Sequence, residues 1–469
     1  MGSGQSHPDV QTKPTMKPRL TRCMRILCAV LLLALAGVAQ DQANIVITGT
    51  SKFHMAVPDF RASSAVPKEV QDTLNQVLWN DLYQSAVVVM VGRSLYTAPV
   101  PNSEADLNNA SLRSAWSSAP LSVQRLVFGT MDVQAGGLMV SGYLYDVTQP
   151  PGGGRLLARR YVNPDTTEGA RSIAHHLADD IINALGFGPG IATTQIAYIH
   201  STPGGQQEVW TMDYDGANKQ QRTHLKGIIY SPRISPDGTE LAFVQSIHGD
   251  FQIRLLSLLT NRLLPFPHFR GNLSESPAWS PDGTKLAFAS NMSGPNMEIY
   301  TINVNGSGLL RLTHSRGYDN VSPAWNPKPP KGSPGGQIAY VSSRANLPQI
   351  YIMNADGSDP TRLPLGGFAS SPSWSPNGLM LAFAWVRNYG SRNAGAFDIY
   401  IWNFGTKNYI QLTHNEQRND FPSWARDNRH IVFESGPPFH TQLYTVAADG
   451  SVPAQLTTSG NNEMPNWGQ

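Results

Sequence analysis

The sequence predicts a small α+β domain at about 40–187, followed by an all-β, six-bladed propeller of WD40-like repeats at 188–469. Three observations carry that reading. A phrase of the type Ser-Pro-Ala-Trp-Ser-Pro recurs; aligned on Pro232, Pro277, Pro323, Pro372, Pro422 and Pro465, its six copies lie 45, 46, 49, 50 and 43 residues apart. Self-similarity at that period marks a repeat architecture. Composition agrees, because only 14% of residues are charged while 42 are Gly and 35 are Pro, the profile of a turn-rich β protein. Before the repeats begin, two helical stripes alternate with short apolar strands, as in a separate domain.

The first 39 residues read as a secretory signal peptide with an extra leader, Met16 being the expected start. Lys17, Arg19, Arg22 and Arg25 precede an apolar run from Ile26 to Ala36, and small residues lead to cleavage after Ala39. The run is short for a membrane span, which takes roughly 20 residues. Cys23 and Cys28 both lie within the first 39 residues, so the mature chain is expected to hold no disulfide, thiolate zinc site or cysteine nucleophile. Without this segment 30 basic and 32 acidic groups remain, which leaves no basic field for nucleic acid. A soluble, exported monomer is expected, with no transmembrane segment and no cofactor.

The mature chain opens on an extended stretch, Asp41–Thr48, and a second strand fits Phe53–Val57. A helix follows with Pro67 in its first turn and Val70, Leu74, Val77, Leu78 and Leu82 on one stripe. Strands are predicted at Val87–Val91, Val123–Thr130, Gly137–Val147 and Arg155–Tyr161. A closing helix runs from about Thr167 to Leu185, with Ile173, Leu177, Ile181 and Leu185 inward and Gly186 at its stop.

Each repeat parses into four short strands. In 276–313, Ser280-Pro-Asp-Gly283 suits a type I turn, Leu286–Ala289 and Glu298–Ile302 are strands, Asn305-Gly306 signals a hairpin, and Leu310–Thr313 is the outer strand. The first repeat lacks a preceding anchor phrase, and Met464–Gln469 is an anchor phrase with nothing after it. The C-terminal strand is therefore expected to close the ring. The loops that lead into each inner strand are expected to open on one mouth of the channel, at Tyr230-Ser231, Glu275-Ser276, Val321-Ser322, Ser370-Ser371, Asp420-Phe421 and Glu463-Met464.

Two sets of side chains raise metal chemistry. His175-His176 and Asp179-Asp180 form two i, i+4 pairs, which share a helix face but have no third ligand nearby. His224, His314 and His414 recur at one repeat position in alternate blades. A peptidase is excluded by the missing Gly-x-Ser-x-Gly elbow and the lack of residues for a hydrolase domain. An exported propeller enzyme, such as a metal-dependent oligosaccharide lyase, is the alternative, and a position linked to the repeat ordinarily serves the repeat.

The whole mature chain resembles the TolB family, periplasmic propeller proteins of the Tol–Pal envelope system. The matching stretches are Ala56-Val-Pro-Asp-Phe60, Val140–Val147, Ala170–Leu185 leading to Gly190, Gln195-Ile-Ala-Tyr198, Asp213-Tyr-Asp-Gly216 and two Ser-Pro-Asp-Gly-Thr repeats. Blade four departs from it, with Asn326–Gly336 in place of the turn, and blade two has Ile234 where later blades have Trp. The resemblance implies a non-enzymatic periplasmic scaffold that links the inner-membrane Tol complex to the outer membrane and aids constriction at cell division. It implies that the peptidoglycan-associated lipoprotein, Pal, docks over the channel mouth. It further implies that Gln40, Asp41, Gln42, Ala43, Asn44, Ile45 and Val46 pair as a strand with the C-terminal domain of TolA.

Overall fold

The computed structural model describes residues 52–468 except 135–136, 203, 226, 392–394 and 415–416. The expected signal peptide and the segment Gln40–Val46 lie outside the described residues. The first domain is built from β1 (Phe53–Ala56), β2 (Arg61–Ala62), α1 (Lys68–Gln84), β3 (Val88–Met90), α2 (Ala110–Ser117), β4 (Arg125–Gln134), β5 (Gly137–Asp146), β6 (Arg155–Pro164) and α3 (Thr167–Ala184). The strands form one mixed sheet in the order β3-β1-β4-β5-β6, with β2 added to β4. β1 runs parallel to β3 and β4, whereas β4, β5 and β6 are antiparallel.

Strand alternation gives the sheet two apolar faces. Met55, Val127 and Leu144 join Leu74, Leu78, Leu177 and Ile181 of α1 and α3 in one core. Their neighbours Ala56, Leu126, Phe128 and Tyr145 face the other way and pack with Trp116 of α2. Gly142 is what allows α3 to lie so close, because a Cβ there would come within 2.8 Å of Leu177. The sequence reading missed α2, whose eight residues are too few to show a helical stripe. Its signal was the cap: the Asn109 side chain accepts from the backbone N–H groups of Ser111 and Leu112.

Six four-stranded antiparallel sheets follow, five of them chain-ordered from the inner strand outward. Blades two to six begin with Ile229–Ile234, Ser274–Trp279, Asn320–Trp325, Phe368–Trp374 and Asn419–Trp424. Blade one takes its inner strand from the C-terminus: Asn461–Trp467 pairs antiparallel with Gln195–Ser201, from Asn461↔Ser201 to Trp467↔Ile196. Trp467 is 3% exposed, and its indole N–H donates to Thr194 Oγ1 at 2.7 Å. The second strands place Ala197, Ala242, Ala287, Ala339, Ala382 and Val432 at one position, all fully buried, and these small side chains let neighbouring blades pack closely.

The turn chemistry follows from local geometry. Gly238, Gly283 and Gly378 have positive φ and close turns by donating their N–H to Ser235, Ser280 and Ser375. The Asn305-Gly306 hairpin is wider than a two-residue turn: Gly306 N–H bonds Asn303 O, and Asn303 N–H bonds Ser307 O. The described residues of both domains belong to one compact unit. Its core continues from α1 and α3 into Ile196, Met212, Tyr214, Val432 and Trp467 of blades one and six.

Candidate site at the channel mouth

The mouth pairs occupy a different place from the one expected. They lie inside the inner strands, where each strand carries a β-bulge, and not in the loops before them. The register slips between Tyr230 and Arg233, Glu275 and Ala278, Val321 and Ala324, Ser370 and Ser373, Asp420 and Ser423, and Glu463 and Asn466. At every slip the second residue of the pair has left-handed backbone: Ser231, Ser276, Ser322, Ser371, Phe421 and Met464 have φ between 49° and 54°. The following proline supplies no N–H to the ladder, and this is why the bulge falls there. The strands converge around a central cavity of about 490 Å³, whose wall includes Ser231, Ser276, Ser322, Ser371 and Phe421. Met464 and the first members of the six pairs are not part of that wall.

The first members form a rim, which is acidic on one side. Glu275 is half-buried and accepts from the Tyr230 hydroxyl at 3.1 Å. Burial pushes its carboxyl above the usual range, against the pull of that hydroxyl. Asp420 is buried and paired with Arg418 at 2.6 Å. On the next strand Glu434 stands opposite Asp420 and accepts from the backbone N–H of Met464 at 2.7 Å. Burial, then the charges of Asp420 and Glu463, push its carboxyl up to about 8. Asp420, Glu434 and Glu463 therefore gather at the seam where blade six meets the closing strand, while Glu275 stands apart on blade three.

The far end of the ring, where the inner strands finish, is held by the α+β domain. Pro189 of the connecting segment contributes to the cavity wall. Arg426 donates to Gly190 O, to Asp179 Oδ2 and to the Thr193 hydroxyl, while Arg429 donates to Phe187 O. Asp179 also accepts from the N–H groups of Ala192 and Thr193. His175 Nδ1 lies 2.7 Å from Asp81 Oδ2, and the Tyr214 hydroxyl donates to Asp81 Oδ1 at 2.6 Å. Burial lowers the His175 imidazole, but the Asp81 carboxylate outweighs it and holds the ring above its ordinary range.

The four residues read as two metal pairs are thus divided among other partners. His176 bonds Ser172 O, and Asp180 accepts from the Tyr161 hydroxyl. His175 is buried, between Asp81 of α1 and Tyr214 of blade one. Among the described residues no three His, Asp or Glu side chains gather as a metal-binding set. His224, His314 and His414 are exposed, and each follows a buried threonine. Thr223, Thr313 and Thr413 each accept from the third-strand N–H and donate to Glu208, Glu298 and Asp398 beside it. The repeated position belongs to threonine, and the histidines only follow it.

The TolB β-propeller domain matches residues 184–469. The chain belongs to the TolB β-propeller family. Over its length the fold is similar to the crystal structure of TolB from Acinetobacter baumannii, with a TM-score of 0.73 at 23% identity, covering 89% of this chain and 97% of that one. That coverage spans both the α+β domain and the propeller. An oligogalacturonate lyase in complex with manganese matches 55% of this chain and 73% of its own, at 15% identity and a TM-score of 0.39. The oligogalacturonate lyase from Vibrio parahaemolyticus matches 56% and 79%, at 13% identity and a TM-score of 0.39. Among the described residues, no helix of this TolB-family chain is long and apolar enough to cross a membrane.

Proposed function

We propose that this protein is a non-enzymatic periplasmic scaffold of the Tol–Pal system, docking the globular domain of Pal over the bulged mouth of its propeller. The family match supports the role. The observation that carries the site is the ring of six left-handed residues at the mouth away from the α+β domain. Strained backbone held at six equivalent places is a device a fold keeps where the surrounding surface is used. In this reading Tyr230, Glu275, Val321, Ser370, Asp420 and Glu463 form the rim a partner meets, and the bulge residues form the ring beneath. The segment Gln40–Val46, whose sequence reads as a strand, serves TolA by strand addition to a sheet edge.

The geometry chooses the variants. Asp420 is 2% exposed and paired with Arg418, so reversing its charge would test folding rather than docking. Glu275 and Glu463 are only part-buried. The double variant Glu275→Lys, Glu463→Lys, titrated with the purified globular domain of Pal, is expected to bind at least tenfold more weakly than the parent. An affinity capture from envelope extract with the parent protein is expected to recover Pal. Recovery of neither Pal nor TolA would sink the proposal, and unchanged affinity of the double variant would move the docking site away from the mouth.

A further inference from the structure

The cavity inside the ring carries one long side chain at a level where the other blades carry short ones. Arg233 stands there in blade two, and the corresponding residues are Ala278, Ala324, Ser373, Ser423 and Asn466. All six contribute to the cavity wall. Five small residues leave room, and one guanidinium enters it. Arg233 is half-buried, and its side-chain hydrogen bond goes back to its own neighbour, Pro232 O, at 2.7 Å. It makes no ion pair among the described residues, where the cavity wall contains no Asp or Glu. Burial lowers its pKa to about 10, with no carboxylate opposing the shift. An arginine still remains charged at neutral pH, so the cavity holds a cation without a counter-charge.

Other parts of the wall point the same way. The remaining cations, Lys328 and Arg426, are at the end toward the α+β domain, and Arg426 is already paired with Asp179. By ladder register Arg233 lies two residues deeper than the rim, about 7 Å along the neighbouring strand. Charge therefore runs from negative at the rim to positive inside. A cavity of this volume is the size of a small-molecule site. A planar fork with an unused charge recognises a carboxylate in bidentate fashion.

We propose that the central cavity binds a carboxylate, held by the Arg233 guanidinium, from a ligand slim enough to pass the rim. This concerns the space inside the ring and does not depend on what docks over it. Two sources present that group, a small free acid and the C-terminus of a peptide, and one experiment separates them. Purified full-length protein is titrated calorimetrically with propionate, with acetyl-trialanine and with the C-terminal amide of that peptide, each to about 10 mM. One-site binding of at least one free carboxylate is expected, and the amide is expected not to bind. Propionate and peptide binding alike assigns the site to free acids; peptide binding alone assigns it to chain ends. Arg233→Gln should weaken binding about tenfold or more, the usual effect of losing a charged hydrogen-bond donor. Arg233→Lys keeps the charge without the fork and should fall between the two. Arg362→Gln, on the exposed outer strand of blade four, should change nothing. If Arg233→Gln fails to fold, the acid–amide comparison on the parent and the lysine variant still decide. No binding to the parent, equal binding of the amide, or undiminished binding to Arg233→Gln overturns the proposal.

Discussion

Replacing Glu434 by Gln should make the protein more stable, and by an amount that grows with pH. In the folded chain burial and the neighbouring charges of Asp420 and Glu463 raise this carboxyl from its ordinary 4.5 to about 8. Between those two values the native state holds a proton that the unfolded chain has released. Stability therefore falls as pH rises; Glu434's favourable contribution is complete below 4.5 and gone above 8. The slope is about 1.4 kcal/mol per pH unit, so the full loss across the window is about 5 kcal/mol. Gln removes the titration yet retains an oxygen to accept the Met464 N–H, which now bonds the carboxyl at 2.7 Å. In guanidinium unfolding followed by tryptophan fluorescence at pH 5, 6, 7, 8 and 9, the advantage of Glu434→Gln should widen by about 4 kcal/mol between pH 5 and 8, then level off. Subtracting the parent at each pH cancels the other titrating groups. Parallel profiles for the two proteins would refute the reasoning, and an advantage that shrinks with pH would reverse the assigned protonation state.

Removing Met464–Gln469 should lower the thermal midpoint sharply, because the deletion takes away most of the inner strand of blade one; an unchanged melting temperature would count against non-covalent closure. Trp467→Ala tests the same seam more gently and should cost about 3–5 kcal/mol for loss of a large buried side chain. Arg426→Ala should cost about 2 kcal/mol, given that Arg426 and Asp179 are partly solvated, and should speed proteolysis in the segment joining the two domains. At the bulges, Ser322→Ile should cost about 1–2 kcal/mol because a β-branched side chain resists positive φ, whereas Ser322→Gly should be tolerated; equal midpoints for the two would contradict the left-handed backbone.

The architecture was legible because repetition multiplies weak signals. One Ser-Pro-Asp-Gly turn says little, but six anchor prolines at near-constant spacing define both the blade and the number of blades. The buried faces of α1 and α3 were likewise legible from period alone, and Val70, Leu74, Leu78, Ile173, Leu177 and Ile181 all enter the core. The site was harder to read. The phrase Glu-Ser-Pro at 275–277 gave no sign that Ser276 would sit in a bulge, because positive φ in a non-glycine residue is imposed by the ladder and not by the residue. The domain junction was harder still. His175, Asp81 and Tyr214 are 94 and 133 residues apart in the pairs they form, and only tertiary packing brings them into one buried network. A polar residue opposite an apolar stripe looks solvated until another domain covers it.

The composition of the ring also bears on what it does. Glycine would occupy the left-handed positions at no steric cost, and yet all six carry side chains. Each such residue stores about 1 kcal/mol of backbone strain. If the bulge were needed only to bend the inner strands, glycine would relieve that strain at six places, offset only by its larger loss of chain entropy on folding. Side chains are instead retained, and they are unequal: serine in blades two to five, then Phe421 and Met464 at the seam where Asp420, Glu434 and Glu463 converge. The mouth is thus a ring with a hydroxyl arc and an apolar, acidic arc. Such a surface distinguishes one orientation of a partner from the other five that sixfold repetition alone would allow, and the asymmetry coincides with the non-covalent seam. A partner docked as proposed would therefore also bear on the joint that closes the propeller.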